Sequence, residues 1–274
     1  MVHSNASPNG LLNFYSTSGK EAVMDETAIF KKGSYRYIQG PFQYSGGIAA
    51  EPGFIIERAR FLQAISIKHG FEAIEAHLTG LGRPLASFCA CELRSPEPFD
   101  DAGFVTFNRT YVNTLEKWGI FKNDDNPVAR SNVCPEVNPP PEPMFHSFSY
   151  TIPDDESAAK SFVISGSAEA REGDGNYGER IIRNGETTPD AMREKAKYVL
   201  NTMELRMSEL GVGWDQVTAT QVYTVYDIHS FLGDEIVDRG AADYGLTWYY
   251  ARPPVSGLDY EMDVRGVHRE KFIF

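Results

Sequence analysis

The chain has 274 residues, 42% of them hydrophobic, enough for a sizeable core and comfortable for two domains of ordinary size. A formal net charge of -12 and a pI near 5.0 exclude the clustered Lys and Arg that phosphate backbones demand, so no nucleic-acid partner is expected. No run of about 18 apolar residues is present to span a bilayer, and the start "MVHSNASPNG" has neither the basic nor the apolar region of a signal peptide, so a cytoplasmic chain without a membrane partner is expected.

Residues 1–32 are polar without clear periodicity and read as an arm. "FQYSGGIAA" follows, an apolar run ending in Ser45 and Gly46, and then a segment from Glu57 to Gly82 that reads as helical despite Gly70 in its interior. "LASFCACEL" at 85–93 reads as a strand, 101–118 as a helix, and "VARSNV" with Arg130 as another strand. Cys89, Cys91 and Cys134 make an odd count without zinc-site spacing and read as reduced core cysteines. Near "SYTIPDDESAAK" Pro153 and three acids interrupt the apolar pattern, placing a domain boundary at about 154, between 33–153 and 154–274.

The second half restates the first. "FVISGSAEA" ends in Ser165 and Gly166, and an amphipathic helix follows with Met192, Ala196, Val199, Met203, Met207 and Leu210 on one stripe, Thr188 as cap and Pro189 in the first turn. A strand at 216–226, a helical stretch at 231–243 and the pair Ala251-Arg252 come next. From Ser45 to Arg130 is 85 positions and from Ser165 to Arg252 is 87, the spacing of an internal repeat. Each half then reads as an α+β unit, a mixed β-sheet with helices packed on one face. The chain closes with "GLDYEMDV", where Leu258, Tyr260, Met262 and Val264 alternate with Asp259, Glu261 and Asp263, either a half-exposed strand or the wall of a pocket.

This order of elements, a Ser-Gly pair, a long helix ending in Leu-Gly, a "V-x-T-x-V-Y" strand and an Ala-Arg strand before an acidic hairpin, resembles the Rid (YjgF/UK114) reactive-intermediate deaminase family. The match is best from "TQVYTVYDIHSF" through "ARPPVSGLDYEMDVRGV"; "FNRTY" and "PVARSNV" resemble the corresponding motifs in a diverged first copy, and together the copies cover about 33–270. The resemblance implies two tandem chorismate-mutase-like domains, trimers with pockets between neighbouring domains, and hydrolysis of enamines and imines to ketones and ammonia without metal or organic cofactor. Within that family the 2-aminomuconate deaminases, including those acting on chlorinated 2-aminomuconates in aromatic-compound breakdown, are the most concrete activity suggested.

Carried over by motif, the resemblance implies that Arg252 binds a substrate carboxylate, that Ser165 and Gly166 line the pocket and that Glu261 positions water; Arg130, Ser45, Gly46 and Asn108 match in the first copy. Two departures stand out: "PMFHSFSY" offers Phe145 and His146 but no carboxylate at the glutamate's place, and "FLGDEIVDRG" lacks the helix asparagine. Each copy keeps part of a site, so the halves would complete one another or one type of pocket would be dead.

The residue types suit the chemistry. A guanidinium stays charged and grips a carboxylate in two-pronged geometry, which fits Arg130 and Arg252, although either also suits an ion pair with Asp259 or Glu261. Glu261 would activate water or relay a proton if burial raised its pKa, and would otherwise be a solvated strand carboxylate. His146 could take that part in the other pocket, or be structural. Ser45 and Ser165 lie in no nucleophile elbow, so hydroxyl or backbone donation is expected of them, against a plain strand-end turn. No phosphate loop, dinucleotide turn or metal-ligand histidine spacing is present, so no cofactor is expected. The expected partner is a small carboxylate-bearing imine or enamine, with a homo-oligomer as the assembly. A ligand-binding protein without catalysis, or a hydrolase handling chorismate, are the alternatives.

Overall fold

The computed structural model describes residues 27–155, 159–171 and 177–273. In chain order the strands are β1 (Thr27–Phe30), β2 (Tyr35–Ile38), β3 (Gly47–Ala50), β4 (Phe54–Ser66), β5 (Phe88–Arg94), β6 (Ala129–Pro135), β7 (Met144–Pro153), β8 (Phe162–Ala168), β9 (Ala219–Tyr223), β10 (Leu246–Tyr249), β11 (Ala251–Arg252), β12 (Glu261–Gly266) and β13 (Arg269–Ile273). The helices are α1 (Ile67–Gly80), α2 (Asp101–Lys117), the short α3 (Tyr177–Arg180), α4 (Pro189–Glu209) and α5 (His229–Phe231), the last running into a π-helical turn, Leu232–Val237. Among the described residues no helix is long and apolar enough to cross a membrane.

The strands build two mixed sheets, one ordered β1-β2-β3-β8-β12-β9-β10 and the other β11-β6-β5-β7-β4-β13. The architecture is therefore α+β with mixed sheets. Their inner faces pack together through Tyr35, Ile48, Ile56, Cys89, Ala129 and Val267, helix α4 covers the outer face of the first sheet, and α1 and α2 cover that of the second. Toward one end the apolar filling gives way to charge: Arg58 donates to Glu92 at 2.6 and 3.0 Å, Arg265 reaches Glu92 at 3.7 Å from the opposite sheet, and Asp263 accepts from Gln221 and Tyr223.

The same order and sense of strands occurs twice: β4 pairs antiparallel with β7, β7 antiparallel with β5 and β5 parallel with β6, while β8, β12, β9 and β10 repeat those relations. The halves also exchange strands. β3 of the first half pairs with β8, β11 of the second half with β6, and the C-terminal β13 with β4.

Several boundaries differ from the sequence reading. Residues 1–26 of the expected arm lie outside the described residues, and Thr27–Phe30 is a strand, because Phe30 packs on Tyr35 of the strand it pairs with, ring centroids 5.4 Å apart. The helix expected from Glu57 starts only at Ile67, since Phe54–Ser66 is claimed by two neighbours, β7 and β13; Ser66 then caps α1 through the His69 amide. Gly70 is needed inside α1, where a Cβ would run into the Phe145 ring. The two Ser-Gly pairs are not topological equivalents: β3 begins after Gly46, whereas β8 runs through Ser165 and Gly166 and takes the place that β4 holds in the first half. The helix expected over 231–243 shortens to α5 and its π-helical turn. The expected long helix is present as Pro189–Glu209, with Thr188 accepting from the Ala191 amide.

Candidate active site

The edge of β6 meets β8 along a seam made by the two serines. The Ser45 amide donates to Val128 O at 3.0 Å, the Ser165 amide to Gly46 O at 3.1 Å, and the Ser165 hydroxyl donates to Ser45 O at 2.6 Å while accepting from the Arg130 amide at 3.0 Å. A buried hydroxyl thus satisfies two backbone groups that face each other across the halves. Ser45, Gly46 and Ser165 therefore stand behind the pocket, as the stitching of its back wall, and not in it as expected; their three amides and the Ser165 hydroxyl are spent on backbone.

In front of the seam lies a small, half-open cleft of about 50 Å³. Strand β6 contributes Arg130 and Asn132, β8 contributes Gly166 and Ala168, β12 contributes Glu261, and α2 contributes Phe104. The segment between β11 and β12 closes it with Pro254, Val255 and Leu258, held in place because Phe99, just before α2, exchanges backbone hydrogen bonds with Pro254 and Ser256. Both halves of the chain supply walls. The acidic strand is a pocket wall, buried on both faces: Tyr260, Met262 and Val264 sit in the core under α4, and Glu261 and Asp263 are each 4% exposed.

Arg130 is 3% exposed and is ringed by Tyr111, Tyr44, Phe107 and Phe104 at 4.9, 5.3, 5.7 and 5.9 Å from its guanidinium carbon. Such rings hold a cation in place without neutralising it. Its Nη1 has no hydrogen-bond partner and the side chain makes no ion pair among the described residues. A buried, unpaired guanidinium nitrogen is costly unless something binds it. The amide of Asn108 is likewise fully buried with both ends unpartnered, on the α2 face that carries Phe104 and Tyr111.

Glu261 is pushed well above the usual carboxylate range by burial, and further by the charges of Asp263 and Glu169, while Arg130 and Arg94 pull the other way. Burial therefore favours the protonated form of this carboxyl. It lies directly over Gly166: a Cβ there would collide with Glu261 Oε1 and sit 3.3 Å from Ser131 Cα, so only glycine lets the two strands and the carboxyl share this space. Cys134, two residues beyond Asn132, has its thiol pushed up to about 12, by burial first and then by the charge of Glu261. It stays protonated.

The structure brings Arg130, Gly166 and Glu261 together and leaves the other expected residues outside. Arg252 does not line the cleft; it pairs with Glu136, an ion pair with a different acid from those expected, and its side chain is 37% exposed. Its register partner is Cys134, which puts Arg252 on the same sheet face as Cys134, Asn132 and Arg130. His146 lies at the irregularity of β7, where its pKa falls to about 3 through burial and the charge of Arg94. It is neutral near pH 7 and cannot serve as the titrating group expected there. Asn132, Phe104, Pro254 and Val255 are lining residues that the sequence reading did not name; only the alternation Arg130-x-Asn132 in "ARSN" could have indicated the first. Among the described residues no three His, Cys, Asp or Glu side chains converge to hold a metal ion.

The 2-amino-5-chloromuconate deaminase of Comamonas testosteroni is 50% identical over 248 residues, which is 90% of this chain and 99% of that protein. Among solved structures, a chorismatase aligns over 84% of this chain and 79% of its own with 11% identity and a TM-score of 0.42. The E. coli YjgF gene product aligns over 40% and 81% with 17% identity and a TM-score of 0.28. The family model for "2-aminomuconate deaminase CnbZ" matches residues 27–271, and the chain belongs to that family.

Proposed function

We propose that the chain is a cofactor-independent deaminase that hydrolyses the C=N bond of a 2-aminomuconate-type imine and releases ammonia. The observation that carries this reading is the pairing, in one cleft, of an unpaired buried guanidinium on Arg130 with a buried carboxyl on Glu261 that lies over Gly166 and whose protonated form burial favours. Family membership and the half-identical 2-amino-5-chloromuconate deaminase support it.

In this reading Arg130 Nη1 binds the carboxylate beside the reacting carbon, and the aromatic ring of residues around it fixes its direction. Glu261 gives its proton to the imine nitrogen, which makes the carbon electrophilic. The glutamate, now ionised, takes a proton from the water that attacks that carbon. The resulting carbinolamine loses ammonia as its nitrogen is protonated again and its hydroxyl becomes the ketone. Phe104, Val255 and Leu258 suit the hydrocarbon chain between the two carboxylates. Arg252, on the same sheet face, would reach the far carboxylate by releasing Glu136.

The repeated sheet order supports a tandem origin, with the halves dividing near residue 154 as Rid-like units and the pocket lying between them. A trimer in the cytoplasm completes the proposal. The direct test is ammonia release from 2-aminomuconate by the purified chain: release that is abolished in Glu261→Gln is expected, and its absence in the folded wild-type protein would overturn the reading and favour a binding protein.

A further inference from the structure

Helix α4 carries Lys195 on the stripe of Met192, Ala196 and Val199, and this lysine has no solvent exposure at all. A fully buried lysine is rare unless paired. Its Nζ contacts Asp259 Oδ2 and lies 3.4 Å from Glu169 Oε1. Glu169, also fully buried, follows Ala168 at the end of β8 and accepts from the backbone amides of Asp259 at 2.6 Å and Tyr260 at 3.0 Å. Thr224, at the end of β9, donates its hydroxyl to Asp259 O at 2.7 Å. Glu261 is the next residue after Tyr260, and its register partners are Ala168 on β8 and Tyr223 on β9. Three backbone neighbours of Glu261, namely Ala168, Tyr223 and Tyr260, are thus each next to a residue of this cluster.

Stability does not account for such a group, because a buried ion pair is often matched or bettered by apolar residues of similar size. Position does. We propose that Lys195, Glu169 and Asp259 form a buried positioning unit that locks the end of β8 to the Asp259–Tyr260 approach to β12, and so holds the Glu261 carboxyl over Gly166 in the pocket. None of the three touches the cleft; they act through Glu261, and only the use made of that carboxyl rests on the deaminase reading above.

The unit also belongs to the field around Glu261. That carboxyl is faced by Asp263 from its own strand, Glu169 from β8, Arg94 from β5, and Arg130 and Cys134 from β6. Burial raises the pKa of Glu169 itself, against the pull of the two amides and Lys195.

The test uses the full-length chain as Lys195→Met and Glu169→Gln, each checked for a native melting transition. Backbone amide exchange at Asp259 and Tyr260 is expected to accelerate in both variants while Val222 on β9 keeps its protection. The carboxyl of Glu261, followed by carbon NMR and assigned by its loss in Glu261→Gln, is expected to titrate at lower pH in Glu169→Gln, because a facing negative charge is gone. In Lys195→Met, kcat is expected to fall by on the order of a hundredfold with a smaller change in KM, as for a displaced catalytic group. Folded variants with unchanged exchange and an unchanged Glu261 midpoint would overturn the proposal. Should Lys195→Met not fold, Asp259→Asn, which alters one polar group of the unit, carries the exchange measurement instead. Expected exchange and titration with no ammonia released by the wild-type chain would sink the deaminase reading and leave the positioning unit standing; ammonia release with neither effect would do the reverse.

Discussion

The Glu261 carboxyl occupies the space in which any residue but glycine at position 166 would place its Cβ. A strand from one side of the pocket is shaped to leave room for an acid delivered by its neighbour. Gly166→Ala should therefore push Glu261 aside and cut kcat by on the order of a hundredfold, the usual cost of a misplacement near 1 Å. The φ angle of Gly166 is not in the left-handed region, so no backbone strain is added. Steady-state kinetics with a melting curve separates the effect from unfolding.

The pH dependence follows from the same carboxyl. Glu261 has a raised pKa in the folded chain, so from the ordinary glutamate range upward the folded state holds a proton that the unfolded chain has lost. Stability then falls as pH rises through that window, at about 1.4 kcal/mol per pH unit for each such group, and levels off above the folded pKa. Asp263 is raised too, by burial and by Glu92, and adds to the slope. Glu261→Gln should flatten part of this dependence in denaturant titrations run from the ordinary glutamate range upward. If Glu261 is the acid, wild-type kcat should decline over the same interval.

Arg130 and Arg252 should separate by substrate. Arg130→Met removes a charge-assisted bond to a carboxylate of about 1.5–3 kcal/mol, so KM for any carboxylate-bearing imine should rise about tenfold to a hundredfold. Arg252→Ala should raise KM for a dicarboxylate and leave a simple monocarboxylate imino acid unaffected, because its reach is the far end only. Equal effects on both substrates would remove Arg252 from the pocket.

Ser165→Ala strips the bridge between Ser45 O and the Arg130 amide. Two buried backbone groups lose their partner, and a loss of about 1–3 kcal/mol in urea unfolding is expected, with Arg130 binding weakened as a consequence of its strand moving. A nucleophilic serine would instead leave stability alone and abolish turnover.

Assembly gives a separate check: light scattering should return a mass three times that of the chain, and a monomer would contradict the expected trimer.

Much of this protein could be read without coordinates. The stripe of α4 with its cap at Thr188 and the strand character around Cys91 and Tyr223 follow from local periodicity, because capping and amphipathic spacing act within a few residues, while Arg130 and Glu261 came forward as site candidates through the family resemblance. What local pattern could not decide is who meets whom. The two Ser-Gly pairs look alike in sequence but fall at different places in the repeated topology, since their strand pairing is settled by partners 93 to 117 residues away. The raised pKa of Glu261 and the lowered pKa of His146 depend on burial and on facing charges that only tertiary packing brings together, and the pairing of Arg252 with Glu136 depends on β11 crossing to β6. The sequence by itself determined the elements and the reactive residue types; the tertiary structure decided that one half supplies the cation, the other the acid, because the two halves share their sheets and join at the seam of Ser45, Ser165 and Arg130.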